Sequence, residues 1–343
     1  MSPRAAVEAV ALKALMGLPE KVQRPLAGRP VVRDGQTLAT DLQLLLRLQS
    51  LARRRDEQVP IEKMRDDLRH ESGIVGGRQP IGAVRDLEVA GRPARHYLPT
   101  APVVPRRSLG PLLVFFHGGG FMEGDLDSHD APCRVLAERS GVPVLAVDYR
   151  LAPEHTIPAA HEDAYDAFRW IHKNAEDLRA DPARVAVGGD SAGANLAAWV
   201  AIAAARDGVP VAWQMLVYPC ADALRDNDSA RIFSEGFYLT KEFMDRANSS
   251  YTSDPSQLLD ERLSPVRAEL PEGLAPAFVA TAGFDPLRDE GEAYARRLAD
   301  AGVSVELERF ADQIHGFLNI VGVGRTSRAA VLEIAGRLRA ALV

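Results

Sequence analysis

One stretch constrains this chain more than any other: Gly188-Gly189-Asp190-Ser191-Ala192-Gly193-Ala194-Asn195. The run Arg184–Val187 ahead of it reads as a strand, and Leu196–Ala204 behind it reads as a helix. A strand that becomes a helix within so few residues must turn sharply. The flanking positions then need glycine, because a Cβ would collide with neighbouring backbone. In that setting Gly189-x-Ser191-x-Gly193 lifts the serine hydroxyl above a sheet. There it meets the positive end of the following helix, where a developing anion is stabilised.

The rest of the chain supplies the sheet. From about residue 80, candidate strands are Val84–Val89, Arg95–Leu98, Leu112–Phe116, Val142–Val147, Val185–Gly188, Gln214–Val217, Ala277–Thr281 and Val305–Phe310. Helical stretches lie between and after them: Ala131–Arg139, His161–Asn174, Ala192–Arg206, Gly291–Ala301 and Arg328–Ala341. Several strands are continuous apolar runs bounded by Gly or Pro, the mark of burial on both faces. The alternation predicts an α/β fold with a mostly parallel central sheet flanked by helices, its two leading strands antiparallel. No internal repeat or low-complexity tract interrupts it.

Two segments stand outside this alternation. In residues 1–75, Leu12, Leu15 and Met16, then Leu38, Leu42, Leu45, Leu46 and Leu48, recur at helical spacing. Pro19, Pro25, Gly28, Pro30 and Gly35 punctuate the gap, and Met64 and Leu68 give a third short helix after Pro60. No β-pattern is evident here, so the segment reads as a helical appendage. The second segment, residues 222–264, is polar but carries Phe233, Phe237, Tyr238, Leu239, Phe243, Met244 and Tyr251. Aromatics in a polar excursion pack against something, either the sheet or the N-terminal helices. Length alone suggests about two domains for 343 residues. The pattern instead predicts one catalytic unit over 76–343 and a two-part helical cap from 1–75 and 222–264.

A serine raised on such a turn needs an oxyanion site, a base and an acid. His117-Gly118-Gly119-Gly120-Phe121 follows the apolar strand Leu112–Phe116. Three glycines there let backbone N–H groups point into a cavity, as acyl transfer requires. Gly119, Gly120 and Ala192 are the candidate donors, and His117 reads as structural, orienting the loop. In this architecture the order is Ser, acid, His. Of eight histidines, His315 alone follows Ser191, in a loop after the last predicted strand. Asp285 follows the strand Ala277–Thr281 and can hold the imidazole tautomer. Asp289 is its rival, although its place suits the N-terminus of the helix Glu290–Ala301.

Composition narrows the partners. With 41 basic against 47 acidic side chains, no phosphate-neutralising surface is expected, and so no nucleic acid. Arg53-Arg54-Arg55 meets Asp56 and Glu57 at once and reads as a solvated helix end. No run of 18 apolar residues exists, so no transmembrane segment is expected. Glu8 and Lys13 break any signal-peptide core and leave an amphipathic helix. Cys133 and Cys220 lie far apart in apolar surroundings and read as buried thiols of a reducing, cytoplasmic compartment. One histidine after the turn and two distant cysteines offer no ligand cluster, so no metal or organic cofactor is expected.

Four motifs give the chain a family likeness: His117–Gly120, Asp148-Tyr149-Arg150-Leu151-Ala152-Pro153-Glu154, Gly189–Asn195, and Asp285–Glu290 with His315-Gly316-Phe317. In order and spacing the chain resembles the bacterial hormone-sensitive-lipase-like esterases of the α/β-hydrolase superfamily. The resemblance implies a serine carboxylesterase with a helical cap and a small-molecule ester of short to medium acyl chain as substrate. The expected assembly is a homodimer. Alternatives are an amidase, lactonase or deacetylase on the same triad, or a non-catalytic ligand-binding member of the fold. The plant hormone receptors that look like this family have lost the histidine, which is present here.

The Asp148–Glu154 segment reads as a strand end and turn supporting the oxyanion loop through Arg150 and Glu154. Phe121, Met122, Trp199, Phe237, Tyr238, Phe284 and Phe317 either line a pocket or simply pack. Two departures from the family stand out. Residues 1–75 exceed the usual cap segment, and Ala311-Asp312-Gln313-Ile314 is unusually polar, so that Asp312 is placed to affect the basicity of His315 or the mobility of its loop.

Overall fold

The computed structural model describes residues 3–52, 59–105 and 108–343. The chain begins with α1 (Pro3–Met16), α2 (Glu20–Ala27), a hairpin of β1 (Val32–Arg33) and β2 (Gln36–Thr37), α3 (Thr40–Ala52) and α4 (Ile61–Gly76). The hairpin corrects the expectation that this segment has no β-structure. Its cause is Asp34-Gly35, where both residues adopt positive φ (49° and 72°) in a tight two-residue turn. The helix α2 also falls where only punctuation was expected. It holds despite Pro25 because it packs on α3, where Gln43 Nε2 donates to the Ala27 carbonyl and Arg47 to that of Leu26. The Arg53–Arg55 run lies outside the described residues.

The sheet follows as β3 (Ala83–Val89), β4 (Arg92–Leu98), β5 (Gly110–Phe116), β6 (Val144–Val147), β7 (Ala180–Asp190), β8 (Gln214–Val217), β9 (Ala277–Phe284) and β10 (Val305–Ile314). Its order is β10-β9-β8-β7-β5-β6-β4-β3. The run β10 to β6 is parallel, and β4 is antiparallel to both β6 and β3. Alternate residues of β5 serve opposite faces. Leu112, Val114 and Phe116 pack toward α6 (Ala159–Lys173) and α7 (Ala192–Arg206). Leu113 and Phe115 pack toward α5 (Asp130–Ser140) and α11 (Thr326–Leu342).

Residues 222–264 contain α8 (Asp228–Ile232) and α9 (Lys241–Tyr251), and α10 (Arg288–Asp300) follows β9. Phe233 and Phe237 share a cluster with Met16, Leu42 and Leu44 of the N-terminal segment and with Phe284 and Ile314. The aromatics of the excursion therefore reach both the N-terminal helices and the sheet. The two segments meet over the C-terminal ends of β9 and β10. No helix is long and apolar enough to cross a membrane among the described residues.

Candidate active site

The turn between β7 and α7 is built by exclusion. A Cβ on Gly189 would lie 2.4 Å from the Phe116 carbonyl oxygen, and one on Gly193 would lie 2.0 Å from it. Only glycine lets α7 start this close to β5. Between them Ser191 is held at φ 54°, ψ −118°, a strained conformation for a residue with a side chain. The Ser191 N–H donates to the Val217 carbonyl at 2.9 Å, anchoring the turn to β8.

β9 and β10 carry their side chains to the same place. Both run further than expected: the Ala282-Gly283-Phe284 stretch is strand, not turn. Gly283 is there because a Cβ would stand 2.0 Å from the Ala311 carbonyl oxygen of the neighbouring strand. Asp285 therefore leaves the tip of β9 directly, and His315 leaves the tip of β10. The His315 Nδ1 is 2.8 Å from Asp285 Oδ2, and its Nε2 is 3.0 Å from Ser191 Oγ. Asp285 is fully buried, and its other oxygen accepts the Leu287 N–H at 2.8 Å. The Tyr218 ring packs 4.5 Å from the imidazole. Asp289 takes no part: in the first turn of α10 it accepts the Ser229 N–H and pairs with Arg288. Asp312 makes no hydrogen bond to His315. Its carboxylate accepts from Gln313 and its carbonyl from the Ala39 N–H.

The glycine loop is tied to the residue before Ser191, the Gly118 N–H donating to Asp190 Oδ1 at 2.8 Å. Gly119 and Gly120 sit at φ 120° and 61°. A Cβ on Gly119 would lie 2.1 Å from the Glu123 carbonyl oxygen. Among the described residues the N–H groups of Gly119, Gly120 and Ala192 donate to no protein group. His117 is buried, stacked on Tyr149 at 4.3 Å, with Nδ1 2.8 Å from the Gly118 carbonyl. The Asp148–Glu154 segment supports this loop differently from the expectation. The Tyr149 hydroxyl donates to the His117 carbonyl, and the Ala152 N–H to that of Phe121. Glu154 acts through Arg65 of α4, which also donates to the carbonyls of Met122 and Ala152. Arg150 turns away to Asp163 on α6.

A pocket of about 290 Å³ opens beside His315. Leu45, Leu46 and Leu48 of α3, Ile74 and Val75 of α4, and Tyr238 make it mostly apolar; Asn319 contributes a carboxamide. Of the seven aromatic and methionine candidates, Tyr238 alone borders it. Phe121 instead stacks on Tyr251, and Phe233, Phe237 and Phe284 form one aromatic cluster. Near the loop, burial and the nearby Glu71 carboxylate push the Glu123 carboxyl up to about 8.

Sequence reading gave no role to four residues around the turn. Asn195 is wholly buried: its Oδ1 accepts from His161 Nε2, and its Nδ2 donates to the carbonyls of Cys220 and Leu263. Burial pushes His161 down to about 4, so it is neutral, with Nδ1 accepting from the Tyr251 hydroxyl. Asp190 and His129 form a second buried pair. Both pairs join residues far apart in the chain, and no spacing rule announces such contacts.

Comparison with known proteins places the chain in a family. Residues 113–319 match the family model described as the alpha/beta hydrolase fold. The chain is 44% identical to the carboxylic ester hydrolase LipN of Mycobacterium tuberculosis, over 97% of this chain and 91% of that protein. It is 36% identical to an ethyl acetate hydrolase of Pseudomonas putida, over 83% and 93%. Among solved structures, an ester hydrolase from the metagenome of Lake Arreo, complexed with a phosphonate derivative, superposes with a TM-score of 0.84 at 39% identity, covering 88% of this chain and 98% of that one. With most of its length aligned to ester hydrolases, this chain belongs to the α/β-hydrolase family, in its hormone-sensitive-lipase-like branch.

Proposed function

We propose that this protein is a serine carboxylesterase acting on short- to medium-chain carboxylic esters through an acyl-enzyme. The observation that carries the reading is the unbroken chain Asp285–His315–Ser191, with contacts of 2.8 and 3.0 Å, together with the Gly119, Gly120 and Ala192 N–H groups, which donate to no protein group among the described residues. His315 Nε2 takes the Ser191 proton as Oγ attacks the ester carbonyl, and Asp285 holds the imidazolium. Gly119, Gly120 and Ala192 N–H groups receive the oxyanion, each such donor being worth about 3–4 kcal/mol in related chemistry. His315 then protonates the leaving alcohol, and water repeats the cycle on the acyl-enzyme.

The helices of residues 1–75 and the 222–264 segment act as a cap whose inner wall reads one arm of the ester. A pocket of about 290 Å³ lies at the small end of ligand sites and favours short to medium chains. The same triad admits amides, lactones or acetylated substrates, which a substrate panel separates. A cytoplasmic location fits two free, buried cysteines; fractionation of the producing cells tests it, and light scattering tests the homodimer.

The central test uses short-chain aryl esters and an organophosphonate probe. Wild-type protein should turn over the ester and become labelled at Ser191, and Ser191→Ala should do neither. More than trace turnover by the alanine variant would overturn the assignment, and folded wild-type protein that resists labelling would favour a non-catalytic binding role.

A further inference from the structure

Asp190 precedes the nucleophile in the chain, has no part in the scheme above, and is buried with hydrogen bonds at both oxygens. Its Oδ1 accepts the Gly118 N–H at 2.8 Å, and its Oδ2 accepts from the Tyr218 hydroxyl at 3.3 Å. The first glycine of the oxyanion loop is there to let this happen: a Cβ on Gly118 would stand 2.6 Å from Asp190 Oδ2. Desolvation raises a buried carboxylate's proton affinity, yet His129 and the Gly118 N–H outweigh it and hold Asp190 below its ordinary value.

The partner that keeps this carboxylate charged is His129, just before α5, 3% exposed, with Nε2 3.3 Å from Asp190 Oδ1. Its Nδ1 lies 3.0 Å from Ser128 Oγ. That hydroxyl accepts from the Asp125 N–H and donates its single proton to the Asp125 carbonyl. Toward His129 it therefore accepts, so Nδ1 donates. Asp190, an acceptor only, is the group that faces Nε2. Asn319 Nδ2 lies 3.3 Å from the same Nε2, while Asn319 Oδ1 has no partner among the described residues. Interchanging the two ends of that carboxamide gives the nitrogen an acceptor instead of a second donor.

We propose that His129 is a positioning residue for acyl transfer: it fixes Asp190, and through Asp190 the Gly118 peptide that aims the Gly119 and Gly120 N–H groups. The proposal rests on the oxyanion assignment above. Asn319 borders the pocket beside His315 and so ties this pair to the wall that a substrate touches.

The test compares His129→Asn, which reaches Ser128 but is too short for Asp190, with His129→Gln, which restores a donor near the Nε2 position. Each is assayed for butyrate aryl-ester turnover and for inhibition by a trifluoromethyl ketone, which forms a tetrahedral oxyanion on a serine nucleophile. His129→Asn should lower kcat about 10- to 100-fold and weaken the ketone by a similar factor, with KM within about twofold. His129→Gln should recover most of both.

The idea falls if His129→Asn keeps kcat within twofold, if His129→Gln is equally impaired, or if kcat falls while ketone affinity does not. Should His129→Asn fail to fold, the isosteric Asp190→Asn must show the same parallel loss; wild-type kcat and ketone affinity there would overturn the proposal. Phosphonate labelling of wild-type protein reports on the triad independently, so a failure of this inference and a failure of the esterase reading are told apart.

Discussion

Replacing Asn195 by alanine removes one side chain that serves three buried partners. The Cys220 and Leu263 carbonyls lose their 2.9 and 3.0 Å donors, while His161 Nε2 keeps a second acceptor in the Arg262 carbonyl at 3.1 Å. Two orphaned buried carbonyls at about 1–3 kcal/mol each give a loss near 4 kcal/mol. At about 2 °C per kcal/mol for a chain of this size, melting should fall by roughly 8 °C. Chemistry should survive, because the backbone bond from the Asn195 N–H to the Ser191 carbonyl at 3.1 Å is untouched. Differential scanning calorimetry gives the melting shift, and aryl-ester kcat at 20 °C gives the chemistry, expected within about threefold of wild type. Asn195→Asp, which sets a carboxylate against two carbonyls, should melt lower still. A shift under 2 °C for the alanine variant would refute the reasoning, as would a tenfold loss of kcat in well-folded protein.

Other consequences are equally direct. Gly193→Ala puts a Cβ 2.0 Å from the Phe116 carbonyl oxygen, so the start of α7 must move by about 1 Å and turnover should drop about 100-fold or more; near-normal activity would contradict the packing argument. His96 and His161 are both pushed down to about 4 by burial, whereas in the unfolded chain they titrate near 6.5. The unfolded state therefore takes up protons first as the solution is acidified. Stability from these two groups is complete above about pH 6.5 and is lost as pH falls toward 4, by at most about 3 kcal/mol each, which urea midpoints at pH 7.5 and 5 would read. Leu46→Trp narrows the pocket and should cut the hexanoate-to-acetate preference at least about tenfold; an unchanged acyl-length profile would remove α3 from the substrate wall.

The parts legible in the sequence were those with one local cause. Strands such as Leu112–Phe116 are apolar on both faces, so their signal survives without neighbours. The glycines flanking Ser191 and the order of serine, acid and histidine picked out the three residues that meet in space. Glycine was also where the reading went astray. Gly283 looked like a turn, but it permits close approach of two strands. Asp34-Gly35 drives a hairpin too short to leave an alternating pattern. The helix α2 hid behind Pro25, since its stability comes from α3 more than from its own propensity. Contacts such as His129 with Asp190, or Arg65 with Glu154, span 61 and 89 residues and depend on the finished fold.

The two buried thiols make the molecule its own reporter. Cys133 is sealed between α5 and the sheet, with no surface in reach of reagent. Cys220 lies under Leu239 and Met244 of the 222–264 segment and against Leu287. A maleimide can reach the first only when the central layers separate, and the second as soon as that segment lifts. Labelling the two at separate rates would therefore measure, without any engineered probe, the free energy of opening above the serine against that of unfolding the whole. Cys220 should label first, and a competitive inhibitor seated beneath the segment should slow it while leaving Cys133 unchanged.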